Sequence, residues 1–223
     1  MLGSLVLSPA DRVASGVQRV IYLHPTDPGK LIKILKPSSE LKHRTNFNGV
    51  MDRWFPGTRL RQIRKEYGEY VRVMLNNPDP DFRAPISHMY GFVATNLGLG
   101  CLTERIRNRD GSLGQTLSTK AKAGTLTDED IDLLNDTVAR LFHYNIRASD
   151  MNPSNFVFGY RADDTGTEQM ECVLVDGFGD IHAVPVRSMA KWSNHLGLDD
   201  SCKRLTRHTK LVWDSKRRQF SRS

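Results

Sequence analysis

Ser149-Asp150-Met151-Asn152-Pro153-Ser154-Asn155-Phe156-Val157-Phe158 is the stretch on which the fold reading turns. An Asp and an Asn five residues apart flank a turn and feed directly into an apolar strand. Twenty-one residues after Asn155, a second strand ends in Leu174-Val175-Asp176-Gly177-Phe178-Gly179. An Asp at a strand end followed by glycines can aim its carboxylate into a cleft. Asp and Asn oxygens are hard ligands that suit Mg²⁺. A further carboxylate left free of metal can accept a hydroxyl proton or orient a nucleophile. Singly, each residue has a plainer role: Asp150 in a turn, Asn155 as an Asx-type cap, Asp176-Gly177 as a hairpin turn. The ordered combination is far rarer than any of its parts.

Outward from this stretch, Thr127-Asp-Glu-Asp130 reads as an N-cap with acidic first-turn residues. The helix it opens runs to about Asn145, with Ile131, Leu134, Val138, Leu141 and Phe142 on one face. Residues 161–169 read as a polar hairpin loop, and helical character returns over 186–209. In the first half, 17–23 and 31–35 read as strands joined by the turn at Pro25-Thr-Asp-Pro-Gly29. Residues 37–58 are polar and turn-rich. An amphipathic helix follows over 59–75, on Leu60, Ile63, Tyr67, Tyr70, Val71 and Met74. Two more strands are expected at 88–95 and 99–106, and a turn at Asn108–Gly111. The fold class is α+β, one domain over 1–223, with a β-rich N-lobe (1–108) and a compact α-helical C-lobe (109–223).

The Asp150–Asn155–Asp176 constellation resembles the catalytic loop and metal-binding Asp of the protein-kinase-like superfamily. That resemblance implies a two-lobed kinase-like fold with ATP and Mg²⁺ as cofactors. Asn155 and Asp176 would hold the metal, and Asp150 would handle the acceptor hydroxyl. It also asks for a strand Lys and a helix Glu. Lys33 in Leu31-Ile-Lys-Ile-Leu35 fits the first, on the face opposite Ile32 and Ile34. Glu66 fits the second, with Glu69 as the alternative one turn later. Gly16, in Val13-Ala-Ser-Gly16-Val-Gln-Arg-Val20, stands alone where typical kinases carry G-x-G-x-x-G. It would bring backbone amides to the phosphates. Residues 103–107 would supply the adenine-facing backbone.

A closer resemblance is to the bacterial YrbL family, named for the PhoP regulatory network. It rests on Gly16-x-x-Arg19-x-x-Tyr22-x-His24-Pro25, Ile32-Lys33, Lys65-Glu66 with Tyr70, and Tyr90-Gly-x-Val-x-Thr95. Asp110-Gly111 with Leu117, and Lys191-Trp192, also fit. The kinase-like resemblance implies a phosphotransferase acting on an unidentified hydroxyl acceptor, whether small molecule, glycolipid or protein, and the lack of a disulfide framework makes a reducing cytoplasm its expected location. The alternative is a pseudokinase-like nucleotide-binding regulatory module without turnover. Ala148-Ser149 stand where kinases carry His-Arg, and no A-P-E follows Gly179. The short remainder leaves no room for a large peptide-binding platform.

Composition narrows the field further. The 223 residues are 39% hydrophobic and 26% charged, enough apolar material for a core. No apolar run reaches the ~18 residues of a transmembrane helix. The start of the chain is a poor signal peptide. The three cysteines, Cys101, Cys172 and Cys202, form no CxxC, and the histidines no HExxH. The net charge of +7, from 32 Lys+Arg against 25 Asp+Glu, suits a phosphate-bearing partner such as a nucleotide. No nucleic-acid-binding signature accompanies it. Peripheral membrane contact stays open, as does the oligomeric state. The basic run Lys216-Arg217-Arg218 reads as a frayed, solvated tail. Trp192 and Trp213 read as packing anchors, His24 as a strand-ending residue and Cys101 as a buried small hydrophobe.

Overall fold

The computed structural model describes residues 4–16, 18–37, 57–79, 81–162, 166–179 and 190–222, with the side chains of 57–62 and 162 left aside. The turn-rich 38–56 and the expected helical residues 186–189 lie outside the described residues. The chain divides into two compact units, Met1–Arg61 with His88–Arg105, and Gln62–Ser87 with Ile106–Ser223. The last of the three crossings between the units falls after Arg105, three residues before the sequence-based lobe boundary at 108. The segment 62–87, by contrast, groups with the later residues.

The first unit is an antiparallel sheet. Its strands are β1 (Arg12–Ser15), β2 (Arg19–Leu23), β3 (Lys30–Leu35), β4 (Met89–Thr95) and β5 (Gly98–Glu104), in the order β1-β2-β3-β5-β4. Leu7, Ile32 and Ile34 form its buried centre, with Leu5, Tyr22, Val93 and Leu102 against them. Gly100 is required there: opposite Ile34 in the register, a Cβ would fall 2.5 Å from Ile32 Cγ2. Lys33 pairs with Cys101 on the other sheet face, and both are buried. His24 directly follows β2 and organises the turn after it. Its Nδ1 accepts the amides of Thr26 (3.3 Å) and Asp27 (3.0 Å).

The second unit holds most of α1 (Gly57–Asn76), then β6 (Gln115–Thr116), α2 (Leu117–Ala123), α3 (Asp128–His143), β7 (Phe156–Ala162), β8 (Glu168–Leu174), α4 (Lys191–Thr206), β9 (Leu211–Asp214) and β10 (Gln219–Arg222). Thr127 caps α3 as expected. Its Oγ1 accepts the Asp130 amide (3.2 Å), and Asp130 returns the bond to the Thr127 amide (2.9 Å). The foreseen stripe of α3 is buried against β8 and β10. Among the described residues, no helix is long and apolar enough to cross a membrane.

Three sequence readings change. Strands reach into both ends of the loop expected at 161–169: Arg161 pairs with Gln169 and Ala162 with Glu168. Arg161 is polar yet buried, because its guanidinium donates to Ala84 O (2.8 Å) and Glu171 (3.1 Å). The basic tail is not frayed but forms the β9–β10 hairpin. Phe220 is buried there, Asn135 brackets its backbone with two hydrogen bonds (2.6 and 3.0 Å), and Arg222 pairs with Asp128 (2.6 Å). The tryptophans part company. Trp213 packs on Phe220 and donates to Asp199 (2.7 Å), whereas Trp192 is 69% exposed.

A fixed hairpin has a measurable cost of removal. Phe220→Ala should lower stability by about 3–5 kcal/mol in chemical denaturation, the range for truncating a buried aromatic. A loss within the ~0.5 kcal/mol typical of surface sites would mean that the tail does not pack in solution.

Candidate functional site

In the second unit the loop 146–155 and the strand end 174–179 are laced together. Val175 N donates to Asn155 O (2.8 Å), and Asp150 N to Gly177 O (3.1 Å). Gly179 N donates to Arg147 O (2.7 Å), and Ser149 Oγ to Gly179 O (2.9 Å). Asn155 Nδ2 donates to Asp150 O (2.9 Å). Two glycines make this closeness feasible. Gly177 has φ 80°, and a Cβ on it would lie 2.2 Å from Asp150 O. Gly179 has φ 94°, and its Cβ would strike the backbone of α1 at Lys65 (2.8 Å). The same contact brings Glu66, buried on α1, beside the end of this motif.

The structure therefore gathers Asp150, Asn155 and Asp176 on adjoining segments, with Glu66 on the helix that abuts Gly179. Lys33 and Gly16 belong to the first unit, Lys33 buried mid-strand and Gly16 at the turn after β1. The Gly16 amide donates to Arg19 O (2.9 Å), and its carbonyl accepts Lys36 Nζ (2.6 Å). Its backbone is thus engaged inside the turn. A Cβ there would meet nothing nearer than 3.7 Å, so the fold itself does not demand glycine. In the 103–107 segment, the Glu104 amide is taken by His88 O (2.9 Å) and the Arg105 amide by Gly29 O (2.9 Å).

Glu69, the alternative to Glu66, has a different task. Its buried carboxylate accepts two bonds from Arg72 (2.6 and 3.0 Å), the Arg147 amide (2.7 Å) and the Arg147 guanidinium (3.3 Å). It clamps the loop leading to Asp150. Two asparagines extend this support. Asn145 is left-handed (φ 50°), and its carbonyl accepts Arg72 (2.9 Å). The fully buried Asn194 of α4 donates to Asn145 Oδ1 (2.9 Å) and Ile146 O (3.2 Å). Sequence reasoning missed all three roles. An Asn just past a helix end is a recognisable left-handed cap. Nothing local marks Glu69 or Asn194.

The electrostatics single out Asp150. Much of the residue reaches solvent, yet the protein crowding its carboxyl raises its pKa above the usual carboxylate value. The Asp176 charge adds to the rise and Arg204 opposes it. A carboxyl shifted upward by burial and a neighbouring like charge is a candidate for a functional group. As to a metal, Asn155 Nδ2 is tied to Asp150 O, which leaves its Oδ1 as a hard donor, and one oxygen of the Asp176 carboxylate accepts the Gly177 amide (2.8 Å). Two oxygen ligands with the rest left to water and phosphate is a set that Mg²⁺ accepts.

These elements make up a protein-kinase-like fold. Among solved structures, the kinase domain of PknI from Mycobacterium tuberculosis, a double mutant, matches with a TM-score of 0.51. That match covers 92% of this chain and 74% of that one at 14% identity, a likeness of fold. Residues 5–210 match the family model described as PhoP regulatory network protein YrbL, and the chain belongs to that family. No curated protein matches it. The family resemblance and the kinase-like fold read from the sequence are both borne out.

The raised Asp150 pKa has a stability consequence with a definite sign. A carboxyl whose folded pKa is raised favours folding below its unfolded pKa, and that contribution is lost as pH climbs through the folded pKa. In metal-free buffer, Asp150→Asn should therefore melt higher than the parent at neutral pH. The gap should close below about pH 4. An equal or lower melting temperature at neutral pH would contradict the crowded carboxyl.

Proposed function

We propose that this protein is an ATP- and Mg²⁺-dependent phosphotransferase that moves the γ-phosphoryl group to a hydroxyl acceptor. The observation that carries the reading is the hydrogen-bonded closure of Asp150, Asn155 and Asp176 around Gly177. Two oxygen donors and one crowded carboxylate sit on adjoining backbone, each with a separate task.

In this reading, Asp150 accepts the proton of the acceptor hydroxyl as that oxygen attacks the γ-phosphorus in line with the departing ADP oxygen. The P–O bond to ADP breaks as the new one forms. Asn155 and Asp176 hold Mg²⁺, which neutralises charge on the phosphate oxygens. Lys33 is assigned to the phosphates and Glu66 to the orienting role, as the kinase-like resemblance implies. Glu69, Asn145 and Asn194 act by holding the loop, so positioning and charge neutralisation supply most of the rate.

A second reading, a nucleotide-binding regulatory module without turnover, is favoured by one observation. The Gly16 amide is already engaged by Arg19 O, and no second glycine accompanies it.

Thermal unfolding with and without MgATP tests the site. Ligand at ~100 times its dissociation constant adds about 2.7 kcal/mol. For a chain of this size that is a rise of roughly 5–10 °C. The rise should need magnesium and vanish in Asp176→Ala; no rise at saturating MgATP would sink both readings. Turnover separates them. If Asp150→Asn keeps the melting shift while ADP release with excess nucleotide stops, the enzyme stands. If the parent binds but never releases ADP, the module stands. Gly16→Ala should leave the ligand-free melting temperature unchanged, and weakened MgATP binding in that variant would locate the reason for the glycine in the ligand.

A further inference from the structure

Trp192 and Leu196 lie one turn apart on α4 and are 69% and 63% exposed. No hydrophobic neighbour of the described fold covers them. Exposed apolar side chains scattered singly need no explanation, but an adjacent Trp–Leu pair rimmed by charge marks an interaction surface.

The charge beside that pair is unusually concentrated. Residues 191–222, which form α4 and the β9–β10 hairpin, hold nine Lys/Arg against three Asp, a net of +6. The whole chain carries +7, so the other residues together contribute +1. Asp199 and Asp200 are already matched by Lys203 (2.7 Å) and Arg204 (2.5 Å) on the same helix. Asp214 is occupied by the hairpin turn, where its Oδ1 accepts the amides of Lys216 (2.8 Å) and Arg217 (3.0 Å). Lys191, Arg207, Lys210 and Lys216 are exposed and form no ion pair among the described residues. The helix and hairpin are joined by Trp213 Nε1 donating to Asp199 (2.7 Å). They therefore present their cations on a fixed frame.

We infer that α4 and the β9–β10 hairpin form a docking surface for an anionic lipid bilayer. Trp192 and Leu196 enter the headgroup boundary, and Lys191, Arg207, Lys210 and Lys216 meet lipid phosphates. Tryptophan favours the membrane–water boundary because its ring is apolar and its N–H polar. Exposed Trp and Leu beside basic residues supply both attractions of an interfacial surface, apolar burial and attraction to anionic lipid. A nucleic acid would use the cations and stack on Trp192, but it has no use for Leu196. The inference stands apart from the nucleotide site, since none of these residues has a role there.

Flotation of the full chain with vesicles tests it. The chain should float with phosphatidylcholine mixed with phosphatidylglycerol at low salt, and stay behind with phosphatidylcholine alone. Trp192 emission, taken as the difference from Trp192→Phe, should shift to the blue on the mixed vesicles. Trp192→Ala with Leu196→Ser should weaken partition by about tenfold or more. Lys191→Glu with Arg207→Glu should weaken it by about 25-fold or more, at roughly fivefold for each basic charge lost. All four side chains are exposed, and circular dichroism checks that the variants fold. No flotation with anionic vesicles overturns the inference. So does flotation that heparin abolishes and that Trp192→Ala with Leu196→Ser leaves unchanged, since that result describes a surface for soluble polyanions. MgATP melting in the same variants should match the parent, which keeps this test separate from that of the nucleotide site.

Discussion

A missing side chain holds the candidate site together. Gly177 adopts φ 80° and leaves open the space that a Cβ would take from the Asp150 carbonyl. That carbonyl then accepts Asn155 Nδ2, and the Asp150 amide reaches Gly177 O. Any L-residue at position 177 meets both the left-handed backbone penalty and a 2.2 Å clash with the Asp150 carbonyl, so the two backbone segments would have to move apart. Asp150 and Asp176 repel one another, so a fold that brings them close works against its own stability. Such a conflict between local electrostatics and the folded state is characteristic of functional sites.

Around that conflict the scaffold is over-determined. Glu69 from α1, Asn145 at the end of α3 and Asn194 from α4 all hold the backbone just before Asp150. The bonds are made to main-chain atoms as well as side chains, so they fix the path of the loop. Placing rigid helices behind a loop that carries the candidate site is how a small unit combines precision with exposure.

Much of this was legible in the sequence, because the signals were local. Asp150, Asn155 and Asp176 form an ordered pattern with turn and strand signals between them, and Thr127–Asp130 is a self-contained cap. Lys33 was readable from strand alternation. Glu69 and Asn194 were not, since their partners lie 78 and 49 residues away and neither sits in a motif. The β9–β10 hairpin was hidden for another reason. Its turn places Arg218 at φ 56°, where glycine or asparagine would have announced it, and the ring of Phe142 beneath the guanidinium (4.4 Å) accompanies that conformation. With Phe220 as its one buried aromatic, the basic run looked like a tail. Trp192 misled in the opposite direction, because residue type indicates burial only on average.

The Glu69 clamp has a consequence for how this unit opens. One carboxylate joins Arg72 of the helix to the amide of Arg147 in the loop, so neither element can come away without breaking the same group of bonds. Helix residues 62–76 and loop 145–150 should thus behave as a single foldon, losing amide protection together in hydrogen exchange. Glu66 and Asp150 ride on the two halves of that foldon. Local opening would then displace both carboxylates in one step, so the arrangement around Gly177 is kept or lost as a whole.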